Sequence, residues 1–187
     1  SGQYQFNDWT VDADFLKEPS NAGHLYQQVG LIFQNSDIQL FNTTVAEELA
    51  FGPRQLGLPE EEIEQRVTDT LSLLEIEHLK DRIPYHLSGG EKKLVAIASV
   101  LTMNPSVLLF DEPFNGLSPK YQRLIAELLQ ELKAAGKTMI ISSHHYEQIQ
   151  EVIQRVLVFS EEHTLTGDFT KGQWEGNPEF RENFHLG

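Results

Sequence analysis

The chain has 187 residues, 40% of them hydrophobic and 22% charged, which is the composition of a domain able to bury a core and excludes general disorder. Its 28 acidic residues against 14 lysines and arginines give a formal net charge of −14, so no nucleic-acid partner is expected and any phosphate site must be local. The absence of cysteine excludes disulfides and thiolate metal sites, and apolar runs such as Val95 to Leu101 are far shorter than the roughly 20 residues of a membrane span.

Tyr4 to Trp9 reads as a short strand, followed by a loop through Glu18, Pro19, Ser20, Asn21, Ala22 and Gly23. Ser1 to Gln5 has neither the basic start nor the apolar centre of an export signal, so none is expected. Val29 to Phe33 predicts a buried strand that ends at Gln34 and turns through Asn35, Ser36 and Asp37. Thr44 and Glu47 have capping-box spacing and open a short helix expected to stop near Gly52-Pro53. Pro59 suits a first helical position, and Ile63, Val67, Leu71 and Leu74 repeat at helical spacing through an acidic segment. Ser88-Gly-Gly-Glu91 is a second capping box, opening a helix with Leu94, Val95, Ala98 and Leu101 on its apolar face and ending before Pro105. Val107 to Phe110 predicts a strand buried on both faces, with Asp111-Glu112-Pro113 at its end. Ser118-Pro119 caps a helix to Ala135 that stops at Gly136, and Thr138 to Ser142 is a further buried strand. His145 to Ile153 reads as a helix and Arg155 to Phe159 as a strand, while the tail from Gly167 has no clear period. Buried strands alternating with helices predict an α/β fold with a largely parallel sheet.

In such sheets ligands collect at the carboxyl ends of the strands. Three predicted strands end there in reactive groups: Gln34, the pair Asp111-Glu112, and His144 after Ser142-Ser143. One carboxylate of the pair suits Mg²⁺ and the other suits a general base toward water, although Asp-Glu-Pro also fits an ordinary acidic turn. The two glycines of Leu87-Ser-Gly-Gly-Glu91 allow close backbone approach at a helix N-terminus, an anion site whose bland reading is a plain capped helix. His144 could hydrogen-bond a phosphate oxygen or simply share a turn with His145, and no third ligand at suitable spacing supports a zinc site.

Gln34, Leu87-Ser-Gly-Gly-Glu91, Val107-Leu-Leu-Phe-Asp-Glu-Pro113 and Ile140-Ile-Ser-Ser-His144 occur in the order and approximate spacing of an ATP-binding-cassette ATPase, the motor domain of ABC transporters. They resemble its Q-loop, signature sequence, Walker B strand with catalytic Glu, and switch His, over nearly the whole chain. Val29 to Asn35, Gln39-Leu-Phe41 and Ala50-Phe-Gly-Pro53 are similar to the ATPases of energy-coupling-factor and cobalt- or nickel-type importers. The resemblance implies a P-loop NTPase-like (RecA-like) α/β fold with an inserted helical subdomain. It places the sheet core and tail in residues 1–34 and 104–187, and the Q-loop, helical subdomain and signature helix in 35–103. It implies ATP and Mg²⁺ as ligands, with Asp111 and Gln34 serving the metal, Glu112 polarising the attacking water and His144 sensing the γ-phosphate. Ser88, Gly89, Gly90 and Glu91 would act on the ATP of a second cassette, as homodimer or heterodimer. A transmembrane subunit would hold the assembly on the cytoplasmic face of the membrane.

Three departures follow from the same resemblance. The phosphate-cradling Gly-x-x-x-x-Gly-Lys-[Ser/Thr] does not occur in the 187 residues, and Gly136-Lys137-Thr138 is a decoy at a helix end. Ser1 to Phe6 resembles the strand after that cradle, so the resemblance implies an N-terminally truncated cassette, inactive alone, whose gap is filled by an upstream segment or another copy. Glu91 stands where the family usually has Gln, and Ser118 where it usually has Asp. A different class of function is a non-catalytic module that uses Leu87 to Glu91 and the surface after Gln34 to complete or dock a partner ATPase.

Overall fold

The computed structural model describes residues 4–144 and 146–177. The chain opens with an antiparallel hairpin of β1 (Tyr4–Phe6) and β2 (Trp9–Val11), with Asn7 in the left-handed region at the turn. Two helices replace the expected loop: α1 (Ala13–Lys17), capped by the Asp12 carboxylate on the Phe15 N–H at 2.8 Å, and α2 (Pro19–Gln28). Pro19 occupies the first turn, where its missing N–H costs nothing, and Leu25 is buried from an otherwise polar helix. Strand β3 (Val29–Ile32) follows directly.

A 3₁₀ turn (Ser36–Ile38) leads to α3 (Val45–Gln55). The expected capping box is half made: Thr44 Oγ1 accepts from the Glu47 N–H at 3.1 Å, while the Glu47 carboxylate takes Arg54 at 3.0 Å. This helix also runs past its expected stop at Gly52-Pro53. Proline at 53 cannot bond the Leu49 carbonyl, but the buried Thr102 hydroxyl stands 2.9 Å from that oxygen and 2.9 Å from the Ser99 carbonyl, so its one proton is shared between the two. Pro59 caps α4 (Glu60–Leu73) from one position outside it, and Ile63, Val67 and Leu71 are buried as their spacing predicts. Helix α5 (Gly89–Leu101) has the complete Ser88–Glu91 capping box, and it packs on α3 and α4. Leu94, Val95, Ala96, Ile97 and Ala98 are all buried, so α5 is a central rather than a surface helix.

Strand β4 (Val107–Asp111) is followed by α6 (Pro119–Ala134), with Ser118 as its cap and Gly136 left-handed after its end. Then come β5 (Thr138–Ser142) and α7 (Tyr146–Ile149), shorter than the helix expected over His145 to Ile153; His145 itself lies outside the described residues. Strand β6 (Arg155–Phe159) pairs antiparallel with β7 (Leu165–Thr170), and α8 (Lys171–Glu175) ends the described chain. Within the tail read as aperiodic, Trp174 is fully buried and a Thr170–Gln173 box caps its helix; residues 178–187 lie outside the described residues.

The central sheet is β3-β4-β5, parallel throughout, with Ile32 opposite Phe110 and Asp111 opposite Ser142. Ile32, Leu49, Leu94, Ile97, Leu108, Phe110 and Ile125 form its core. At Gly30 a Cβ would collide with Val100 Cγ1, so glycine there lets β3 approach α5 closely. Strand β5 corrects the expectation of burial: Ile140 is 61% exposed, because β5 pairs only with β4 among the described residues and β6 and β7 form a separate sheet. The fold is α/β with a parallel core and two antiparallel hairpins.

Candidate active site at the carboxyl ends of the parallel strands

Because β3, β4 and β5 run parallel side by side, Gln34, Asp111-Glu112 and Ser142 to His144 emerge at one end of the sheet. The Ser142 Oγ donates to Asp111 Oδ1 at 2.6 Å, fixing one carboxylate oxygen. The Glu112 N–H reaches both the Ser142 carbonyl at 3.1 Å and its hydroxyl at 3.2 Å. Glu112 turns at φ 45, a left-handed backbone that a side chain adopts at some cost, and its residue is only 6% exposed. His144 Nε2 lies 3.2 Å from Glu112 Oε1, with the imidazole 83% exposed. A buried carboxylate on a constrained backbone therefore faces a solvent-accessible imidazole. That pairing can orient water and move a proton.

Gln34 is exposed, and its main chain is fixed from below: Lys93 Nζ donates to its carbonyl at 2.9 Å and to that of Phe33 at 3.1 Å. Burial pushes the Lys93 ammonium below its ordinary pKa, while Asp111 and Glu112 act in the opposite direction. Neither Lys93 nor Ser142 is singled out by sequence. The only signal for Lys93 is a lysine inside an apolar helix run, and for Ser142 a hydroxyl whose partner is set by strand register.

Ser88, Gly89, Gly90 and Glu91 form the N-terminus of α5. Glu91 Oε2 accepts the Ser88 hydroxyl at 2.7 Å and the Ser88 N–H at 2.8 Å, and these bonds, the hydroxyl first, hold the Glu91 carboxyl below the usual carboxylate range. At Gly90 a Cβ would meet the Tyr121 ring at 2.8 Å, whereas nothing stands within 4 Å of one at Gly89. Among the described residues, no hydrogen bond or ion pair joins this motif to Asp111, Glu112 or His144. The structure thus brings Asp111, Glu112 and His144 together with Ser142, and keeps Ser88 to Glu91 as a separate surface. The Gly136-Lys137-Thr138 decoy sits at the opposite end of β5, where Lys137 Nζ binds Asn104 Oδ1 at 2.6 Å and the Pro105 carbonyl at 2.8 Å.

Among the described residues no three His, Cys, Asp or Glu side chains cluster as a metal cage. Asp111 offers a hard carboxylate and Gln34 an amide oxygen. That sparse oxygen set fits Mg²⁺, which keeps waters and takes the rest of its ligands from substrate phosphates. No described helix is long and apolar enough to cross a membrane.

Residues 1–115 match the family model described as ABC transporter. The chain is 50% identical over 178 residues, 95% of its own length and 74% of the relative's, to the nickel import ATP-binding protein LarO of Lactiplantibacillus plantarum. It is 48% identical over 134 residues, 72% of this chain and 43% of the relative, to the energy-coupling factor transporter ATP-binding protein EcfA of Methanothermobacter thermautotrophicus. The structure of CbiO1 from Clostridium perfringens, part of the ABC transporter complex CbiONQ, superposes over 100% of this chain and 72% of its own, with TM-score 0.79 and 35% identity. With the acid pair, the histidine and the glycine-rich helix start in the order and fold of these cassettes, the chain belongs to the ATP-binding subunits of the ABC transporter family.

Proposed function

We propose that the chain is the ATP-hydrolysing motor of an energy-coupling-factor-type importer, carrying nickel or a related small nutrient through a transmembrane partner. The observation that carries this reading is the buried Glu112 carboxylate facing His144, on a backbone whose N–H is held at the end of β4 by Ser142. Identity to nickel-import and energy-coupling-factor relatives supports the substrate class and the partner.

In this reading Glu112 orients a water and takes its proton as the water oxygen bonds to the γ-phosphorus and the bond to the β-phosphate oxygen breaks. His144 donates to a γ-phosphate oxygen from its exposed position. Asp111 and Gln34 would hold Mg²⁺, which when bound neutralises charge developing on the phosphates. Ser88, Gly89, Gly90 and Glu91 serve the nucleotide of a second cassette, since α5 presents them apart from the chain's own acid pair. In the same reading residues 35–103 carry the Q-loop, helical subdomain and signature helix, and residues 1–34 and 104–187 the sheet core with the tail, with β3, β4 and β5 as the central parallel sheet. The motor sits on the cytoplasmic face of the membrane through its partners.

The test is Glu112→Gln in the full-length protein. ATP binding is expected to persist while turnover falls by about 100-fold or more, the scale of a lost general base. Full turnover in the variant would remove Glu112 from the role of base, and a parent protein that binds no ATP would overturn the motor reading itself.

A further inference from the structure

Lys93 is the one lysine among the described residues that is nearly fully buried, at 3% exposure. A buried ammonium is costly unless its donors are met, and here they are met by main-chain oxygens, at 3.1 Å to Phe33 and 2.9 Å to Gln34. These two carbonyls lie just past the end of the β3–β4 pairing, which closes at Ile32 opposite Phe110. They have left the sheet ladder, and Lys93 replaces it.

The same short loop is held again at each step. The Gln39 side chain donates to the Ala96 carbonyl at 3.3 Å and accepts from the Phe33 N–H at 3.4 Å. Lys92 pairs with Asp37 at 2.6 Å, and the Glu48 carboxylate accepts the Phe41 and Asn42 N–H groups at 2.9 and 2.7 Å. Three of these anchors, Lys92, Lys93 and Ala96, belong to α5, the helix that carries Ser88 to Glu91 at its start.

We propose that Lys93 is a positioning residue: by clamping the carbonyls of Phe33 and Gln34 to α5, it sets where the Gln34 side chain stands relative to Asp111 and Glu112. The proposal rests on the metal role of Gln34 given above. The Lys93 ammonium is engaged by the Phe33 and Gln34 carbonyls, so it is assigned no ligand role of its own. It acts through the Gln34 main chain, and because it sits on α5 the placement of Gln34 is tied to that of the signature motif.

The experiment compares Lys93→Met, Lys93→Gln, Gln34→Ala and the Lys93→Met/Gln34→Ala pair in the full-length protein. At saturating ATP, Lys93→Met is expected to raise the Mg²⁺ concentration for half-maximal hydrolysis about tenfold, the usual effect of losing a residue that orients a ligand. KM for ATP at saturating Mg²⁺ should stay within about twofold. Lys93→Gln restores N–H donors without charge and should recover most of the loss, and it carries the same comparison where Lys93→Met fails to fold. The pair should need no more Mg²⁺ than Gln34→Ala alone, because Lys93 works through Gln34. Independently of hydrolysis, amide exchange across residues 33–38 should quicken in Lys93→Met while α4 is unaffected. Unchanged exchange in that loop overturns the clamp whatever Gln34 does. A Mg²⁺ demand raised by Gln34→Ala but not by Lys93→Met, or raised equally by Lys93→Met on both backgrounds, overturns the positioning role. Unchanged demand in both single variants also overturns it, and the Gln34→Ala result then identifies the metal reading of Gln34 as the failure.

Discussion

Glu91 spends its carboxylate on Ser88, and that use has a pH signature. Its folded pKa is lowered by the Ser88 hydroxyl and then the Ser88 N–H. The linked stability is therefore present above the unfolded carboxyl value of about 4.3 and is lost as pH falls through the lower folded value. Glu91→Gln keeps a carbonyl acceptor for Ser88 and removes the titration. Its Tm should match the parent's closely at neutral pH and fall less on acidification from pH ~6 to ~3; identical acid limbs in Tm-versus-pH scans would count against this. Glu48 is a buried acid that local sequence does not separate from the exposed Glu47, and its Oε2 takes the Phe41 N–H, the Asn42 N–H and the Asn42 side-chain amide. Glu48→Ala strands these donors and should cost roughly 2–4 kcal/mol. Thermal melts should show a drop of roughly 5–15 °C, against little change for the exposed control Glu127→Ala. At this scale Asp111, Glu112, Ser88 and Glu91 were legible because motif spacing is local. Lys93, Glu48 and Ser142 were not, because nothing in the chain order shows which side chain meets which main-chain group after folding.

Helix α3 shows why element boundaries escape sequence reading. Gly52-Pro53 carries every local signal of a stop, yet the helix continues to Gln55, with the Thr102 hydroxyl, just past the end of α5, in reach of the Leu49 carbonyl that Pro53 cannot serve. Thr102→Val preserves shape and deletes that donor. It should destabilise the protein by about 1–3 kcal/mol in denaturant unfolding, while Thr102→Ser, which keeps the hydroxyl, should lose distinctly less. Equal losses in the two variants would assign the effect to packing. The same dependence on other elements explains α8, whose buried Trp174 packs on Tyr146 and Phe169 in an aperiodic stretch, while α2, read as loop from its Pro, Ser, Asn and Gly, packs on its chain neighbours α1 and β3. The long helices were legible because α4 and α6 each carry an apolar stripe and α5 a complete capping box followed by a continuous apolar run.

At the scale of the whole molecule, a chain of formal charge −14 leaves aromatic rings uncovered near the loop after β3. Phe41 and Phe51 meet edge to face at 4.9 Å and are both exposed. Ile38 is also exposed beside Asp37, and Lys92 bridges Asp37 to the exposed Tyr85 ring. An apolar patch on an acidic protein suits an apolar partner, and the proposed transmembrane subunit is expected to dock there. Phe41→Asp with Phe51→Asp should release the full-length protein from membranes that contain its partner, while nucleotide binding is retained. Flotation with the membrane unchanged in the double variant would place the contact elsewhere.

The sequence by itself determined the α/β class, the order of strands and helices through the centre of the chain, and the motif residues at the strand ends. Those features rest on periodicity, capping and turn chemistry, which act over a few neighbouring residues. Only the tertiary structure decided that Ser142 holds Asp111 and Glu112, that Lys93 fixes the carbonyl of Gln34, and that β5 has an exposed face instead of a buried one. The reason is physical: strand register and the satisfaction of buried polar groups depend on residues that are remote in the chain and become neighbours only when the core closes.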